Sequence, residues 1–157
     1  MGQVPYLTVG GVKLPQSITI ARFAAKKANL YGSDDLEQAK TDAVVDTVTD
    51  FQIAIMKKVF SVKEEEREAA KKAFLAEEAG PHFENIQKLI KLWGSNGYSV
   101  GSSLKWSDLA IWNFTFMLLA VDPNALAKYP AILAVNKSVE SNPKVAEYVK
   151  NRPVTAL

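Results

Sequence analysis

A mainly α-helical protein that opens with a short strand–strand–helix unit is the fold class this sequence predicts. Three observations carry the prediction. From residue 35 onward apolar side chains recur at helical spacing, with few interruptions. Before residue 16 the pattern is instead two short extended runs about a Gly10-Gly11 pair. The chain has 157 residues, 48% hydrophobic and 23% charged, which suits one ordinary folded domain or a small lobe joined to a larger one.

Tyr6 to Val9 and Val12 to Leu14 read as strands, and Gly10-Gly11 supplies the positive φ angles of a tight hairpin turn. Gln16-Ser17 then open a helix whose face is Ile18, Ile20, Ala21, Phe23 and Ala24, with Ser17 as N-cap or first-turn residue. Asn29 to Asp35 is a polar break that ends this helix and caps the next, so the domain boundary is placed there, at 1–29 and 30–157.

Leu36 to Val59 is a long amphipathic helix, with Val44, Val48, Phe51 and Ile55 along one stripe. Glu64 to Trp93 is a second helical run, in which Gly80-Pro81 forces a kink or a restart because proline lacks the backbone donor. Gly94 to Lys105 reads as a loop. Trp106 to Val121 is apolar on nearly every side and predicts a central buried helix. Two short helices follow, about 131–141 and 143–150, the second started by Pro143.

Composition narrows the function. Net charge is +2 with both signs interspersed, so no nucleic-acid partner is expected. The chain has no Cys, which removes disulfides, thiolate catalysis and cysteine-ligated metals. It has one His, His82, so a multi-histidine metal site is excluded as well. No apolar run is long enough to span a bilayer, and the expected setting is cytoplasmic, with no membrane partner.

Several segments, in order, carry a resemblance. They are Gly2-Gln3-Val4-Pro5 ahead of the hairpin, Gln16-Ser17 opening a helix, and Val45-Asp46-Thr47-Val48-Thr49-Asp50-Phe51 in the long helix. Gly97-Tyr98-Ser99-Val100-Gly101 running into Trp106-Ser107-Asp108 comes next, and Asn151-Arg152-Pro153-Val154-Thr155-Ala156-Leu157 closes the set. The chain resembles the sigma-class glutathione S-transferases, which include glutathione-dependent prostaglandin D synthases. The resemblance implies an all-helical C-terminal transferase bundle preceded by the second half of a thioredoxin-like domain. It also implies that the chain starts after roughly 45–50 residues with which family members begin, either at an internal Met or as a shortened product.

Those missing residues include the family's catalytic tyrosine, which donates to the glutathione sulfur. None of this chain's five tyrosines is a substitute, so little or no transferase activity is expected of this polypeptide. The resemblance further implies glutathione as co-substrate, held by Gln3, Val4 and Pro5 across a cis bond, by Gln16 and Ser17 at a helix N-terminus, and by Asp50 from across a homodimer interface.

Phe51, Ile55, Phe60, Trp93 and Leu157 are the expected lining of a pocket for a small hydrophobic electrophile. Asp46 and Asp50 remain of an acidic cluster that binds a divalent cation in some relatives; with Thr49 among them no metal site is expected. Lys105 stands where the family has a capping Ser or Thr, which should weaken the start of the central helix, with Ser107 in partial compensation. A non-enzymatic, crystallin-like or ligand-binding relative is the alternative function.

Overall fold

The computed structural model describes residues 4–153. Strands β1 (Tyr6–Val9) and β2 (Val12–Pro15) pair antiparallel, with Tyr6 opposite Pro15 and Val9 opposite Val12. The turn needs its glycines: Gly10 and Gly11 have φ of 54° and 82°, both left-handed. Helix α1 (Ser17–Lys27) follows directly, and Asn29 at φ 57° turns the chain out of it.

Asp34 then caps α2 (Asp35–Phe60) by accepting from the Glu37 amide at 2.8 Å. The run expected over 64–93 is three pieces: a 3₁₀ turn at Glu64–Glu66, α3 (Arg67–Glu77) and α4 (Gly80–Trp93). Pro81 starts the last of these, where its missing N–H is no loss. After α5 (Trp106–Val121) come α6 (Pro130–Glu140) and α7 (Pro143–Asn151), the latter capped by the Asn142 side chain.

One core joins α2, α4, α5 and α6. Phe51 is its centre, 0% exposed, with the rings of Phe83 and Phe114 edge-on at 4.9 and 4.8 Å. Burying one such ring contributes about 1.5–3 kcal/mol. The imidazole of His82 stacks on the same ring at 4.7 Å, which makes it a lid on the core beside the Pro81 start. Around Phe51 lie Val44, Val48, Ile55, Ile86, Ile111 and Ile132, all buried.

A second, smaller cluster fastens the N-terminal unit to this bundle. Ala25 of α1, Tyr31, Val45 of α2 and Trp106 of α5 are buried together, with Ile18, Leu30 and Ala110 against them. The Trp106 amide donates to the Leu30 carbonyl at 2.8 Å and locks the linker to the first turn of α5.

The start of α5 corrects one expectation. Asp108 is fully buried and accepts from two backbone amides, Ser99 at 2.6 Å and Lys105 at 2.7 Å. Burial pushes its carboxyl up, and those hydrogen bonds hold it back. Ser107 does not compensate for the missing cap, because its hydroxyl pairs with that of Ser99 at 2.8 Å. The Lys105 ammonium, buried, turns instead to the Ser103 hydroxyl at 2.8 Å and the Glu37 carboxylate at 3.3 Å. An ion pair between α2 and the α5 start thus stands beside the carboxylate that does the capping.

Candidate functional site

The hairpin register builds the site. Because Tyr6 pairs with Pro15, the residues just outside the ladder, Val4-Pro5 and Gln16-Ser17, both lie at the open end of the hairpin. The Val4–Pro5 peptide bond is cis, and Val4 is 84% exposed. Its backbone groups lie beyond the last pair of the ladder, open to an extended ligand.

Gln16 enters α1 at φ 74° and ψ 117°, a conformation that costs a non-glycine residue energy. Ser17 takes the first helical position, so it is the first-turn residue and Gln16 is the cap. Among the described residues no side chain bonds the free amides of this first turn, and no acid lies in it. Open amides together with the positive end of the helix dipole attract a carboxylate. The notch therefore offers an extended backbone edge on one side and an anion seat on the other. Gln3 lies outside the described residues, as does Leu157.

Asp50 is not part of this notch. It is exposed on α2, about two turns beyond Asp42. It borders a polar groove of about 420 Å³, lined also by Thr47, His82, Asn85, Lys88 and Leu89. Thr49 bonds back to the Val45 carbonyl at 2.8 Å, a local use of its hydroxyl. Among the described residues no group of three or more His, Asp or Glu is placed to hold a metal ion.

Two members of the expected electrophile pocket are corrected. Phe51 and Ile55 are buried in the core, at 0% and 8% exposed, and face the bundle interior. The reason is geometric: that stripe of α2 is the one on which α4 and α5 close. Trp93 is half-buried against the same core. Phe60 is open, and with Ile53 and Met56 it forms an exposed apolar row on α2 at spacings of three and four residues. The Arg67 guanidinium lies over its ring at 4.6 Å. Ile53 and Met56 were missed, although their spacing with Phe60 was legible.

A polar group between α1 and α2 was also missed. The Asp42 carboxylate accepts from Arg22 Nε at 2.9 Å on one oxygen and from the Tyr31 hydroxyl at 2.6 Å on the other. This bond holds the Arg22 guanidinium more basic than usual. Burial, and then the Asp42 carboxylate, push the Tyr31 hydroxyl up, away from ionisation near neutral pH. With the Tyr129 hydroxyl directed at the Gly80 carbonyl, 3.4 Å away, neither ring is free to meet a thiol.

Comparison with known proteins identifies the family. Residues 49–152 match the glutathione S-transferase, C-terminal domain family. The chain is 34% identical to hematopoietic prostaglandin D synthase of Gallus gallus, over 99% of its own length and 76% of that protein's. It is 31% identical to glutathione S-transferase S1 of Drosophila melanogaster, over 100% of its length and 63% of that chain. Among solved structures it superposes on a monomeric glutathione S-transferase of the hookworm Necator americanus with a TM-score of 0.84. That match has 31% identity and covers 99% of this chain and 77% of the other. A prostaglandin D synthase structure from Nilaparvata lugens gives 0.82 at 31% identity, with coverage of 98% and 76%. A family match over most of the chain, and relatives matched along nearly all of it, make this chain a member of the glutathione S-transferase family.

Proposed function

We propose that the notch at the open end of the hairpin binds glutathione, and that the protein serves transfer of the glutathione thiol to small hydrophobic electrophiles. The observation that supports this most is the register that brings Val4-Pro5 opposite the uncapped helix end at Gln16-Ser17. In this reading the Val4 backbone pairs with the cysteinyl unit as a further strand would. The Ser17 hydroxyl and amide take the γ-glutamyl carboxylate, and the Gln16 side chain takes the α-amino group. Ile53, Met56 and Phe60 offer an apolar wall for the electrophile.

In the reaction the thiol gives its proton to water or buffer, and a sulfur lone pair forms the C–S bond. Either a leaving group departs with its bonding pair, or the acceptor's π pair moves to the far atom, which then takes a proton. A free thiol titrates at about 8.5, so an added hydroxyl or cation must favour the thiolate. No tyrosine of this chain is assigned that role: Tyr31 is engaged with Asp42, and Tyr6 lies on a strand with the Lys13 ammonium over its ring. This polypeptide is accordingly proposed to hold glutathione and to turn over slowly. Dimerisation, with Asp50 reaching the glutathione of the second copy, belongs to the same proposal. So does a cytoplasmic setting, where thiols are kept reduced. The relatives named above carry the names of enzymes, so the crystallin-like alternative is not favoured.

Titration calorimetry with glutathione tests the site. The wild-type chain is expected to bind, and Ser17→Ala to lose about 1.5–3 kcal/mol, the value of a hydrogen bond to a charged group. Its melting temperature should hold, because Ser17 caps nothing. Absence of binding, or binding indifferent to Ser17, defeats the proposal. In parallel, conjugation of a nitroaromatic electrophile should stay close to the uncatalysed rate, and turnover at the level of ordinary transferases would refute that part.

A further inference from the structure

Gln16 and Ser17 are exposed, and neither has a hydrogen bond to the helical bundle that carries the apolar row of α2 among the described residues. Their place relative to that row is set by how α1 sits on α2. Apolar packing holds α1 by one stripe, through Ala25, fully buried, and Ile18, half-buried against the same cluster. A helix held by one stripe can still roll about it, which turns its N-terminal residues.

The second hold is polar. Asp42 on α2 receives Arg22 from α1 at 2.9 Å on Oδ1, and Tyr31 from the linker at 2.6 Å on Oδ2. Both oxygens are used, by two different elements. The Arg22 guanidinium also lies over the Trp106 indole at 5.5 Å, and one of its nitrogens stands 4.0 Å from Asp46. The side chains of Arg22 and Asp42 are 29% and 26% exposed, so solvent screens the pair only partly. Arg22 lies five positions after Ser17, about 7–8 Å along the axis.

We propose that Asp42 is a positioning residue for glutathione: by holding Arg22 and Tyr31 with one oxygen each, it fixes the angle of α1 on α2 and thereby the place of Ser17 and Gln16. None of the three touches the tripeptide. The inference rests on the reading of Ser17 and Gln16 as the glutathione seat. What it adds is a specific dependence of that seat on a carboxylate outside it.

Asp42→Asn tests this in the full chain, since the amide keeps the shape but can accept from only one of the two donors. Glu78→Gln serves as control, removing the Lys58–Glu78 pair (2.7 Å) between α2 and the end of α3. Glutathione titration is expected to show about tenfold weaker binding for Asp42→Asn and wild-type affinity for the control. Hydrogen exchange should quicken over 17–27 and hold steady in α5, a pattern that general loosening does not produce. Wild-type affinity in Asp42→Asn, or exchange quickened equally in α5, overturns the proposal. Should Asp42→Asn fail to fold, Tyr31→Phe removes one arm only; about threefold weaker binding is then expected, and no change overturns the role. A wild-type chain that binds no glutathione overturns the seat itself, whereas wild-type affinity in the variant overturns only the coupling.

Discussion

Phe51 and Phe60 sit nine residues apart on one helix, yet the structure gives them opposite tasks. Phe51 is sealed among Phe83, Phe114 and His82, so Phe51→Ala leaves a cavity and should cost about 3–5 kcal/mol in urea unfolding. Glutathione affinity measured below the melting transition should stay as it was. Phe60 is 57% exposed under Arg67, and Phe60→Ala should cost no more than about 1 kcal/mol. It should instead weaken an S-alkyl glutathione relative to glutathione itself, by calorimetry, because only the alkyl chain needs the apolar wall. If the two variants exchanged these effects, the assignment of the α2 row would be wrong. At this scale the sequence showed which residues are aromatic and how they are spaced. It did not show which of two faces of α2 the other helices cover, since Ile53–Phe60 and Phe51–Ile55 are both apolar rows.

Among the elements, the joint between α2 and the start of α5 carries a pH signature. The Ser33 amide, the Ser33 hydroxyl at 2.9 Å and the Lys105 ammonium hold the Glu37 carboxyl below its usual range, against the opposing effect of burial. A carboxylate depressed in the folded state contributes stability that is fully present above its ordinary value. That contribution is lost as pH falls through the folded value. Wild type should therefore exceed Glu37→Gln in urea midpoint at pH 7, and the gap should close below about pH 4. A gap that is unchanged or widens at low pH rules this out. Asp108 has the opposite sign: its raised carboxyl makes ionisation cost stability as pH climbs from the ordinary value through the folded one. Comparing the Glu37 variant with wild type cancels that contribution. The helix bounds themselves were readable, as α5 shows at Trp106–Val121, because capping and periodicity are local. The Glu37–Lys105 pair was not, since its partners are distant in sequence and the capping position of Lys105 says nothing of Glu37.

For the whole molecule, the open question is how many chains make a site. The proposed reach of Asp50 to a second copy requires a dimer, and a hookworm relative of this fold is described as monomeric. Sedimentation velocity is expected to return the mass of two chains, with Asp50→Asn weakening glutathione binding several-fold, in the range of a rim charge at about 1 kcal/mol. A monomeric mass with full glutathione affinity would remove Asp50 from the site. The order of elements, the hairpin with its glycine turn, the restart at Pro81 and the central helix were determined by the sequence itself, since each follows from backbone chemistry within a few residues. The burial of Phe51 and Ile55, the exposure of Ile53 and Met56, and the meeting of Arg22 and Tyr31 on Asp42 were decided only by the tertiary structure. Those properties depend on neighbours 11, 20 or more residues away along the chain. Burial and charge pairing arise only when separate segments close on one another, and no local pattern records that closure.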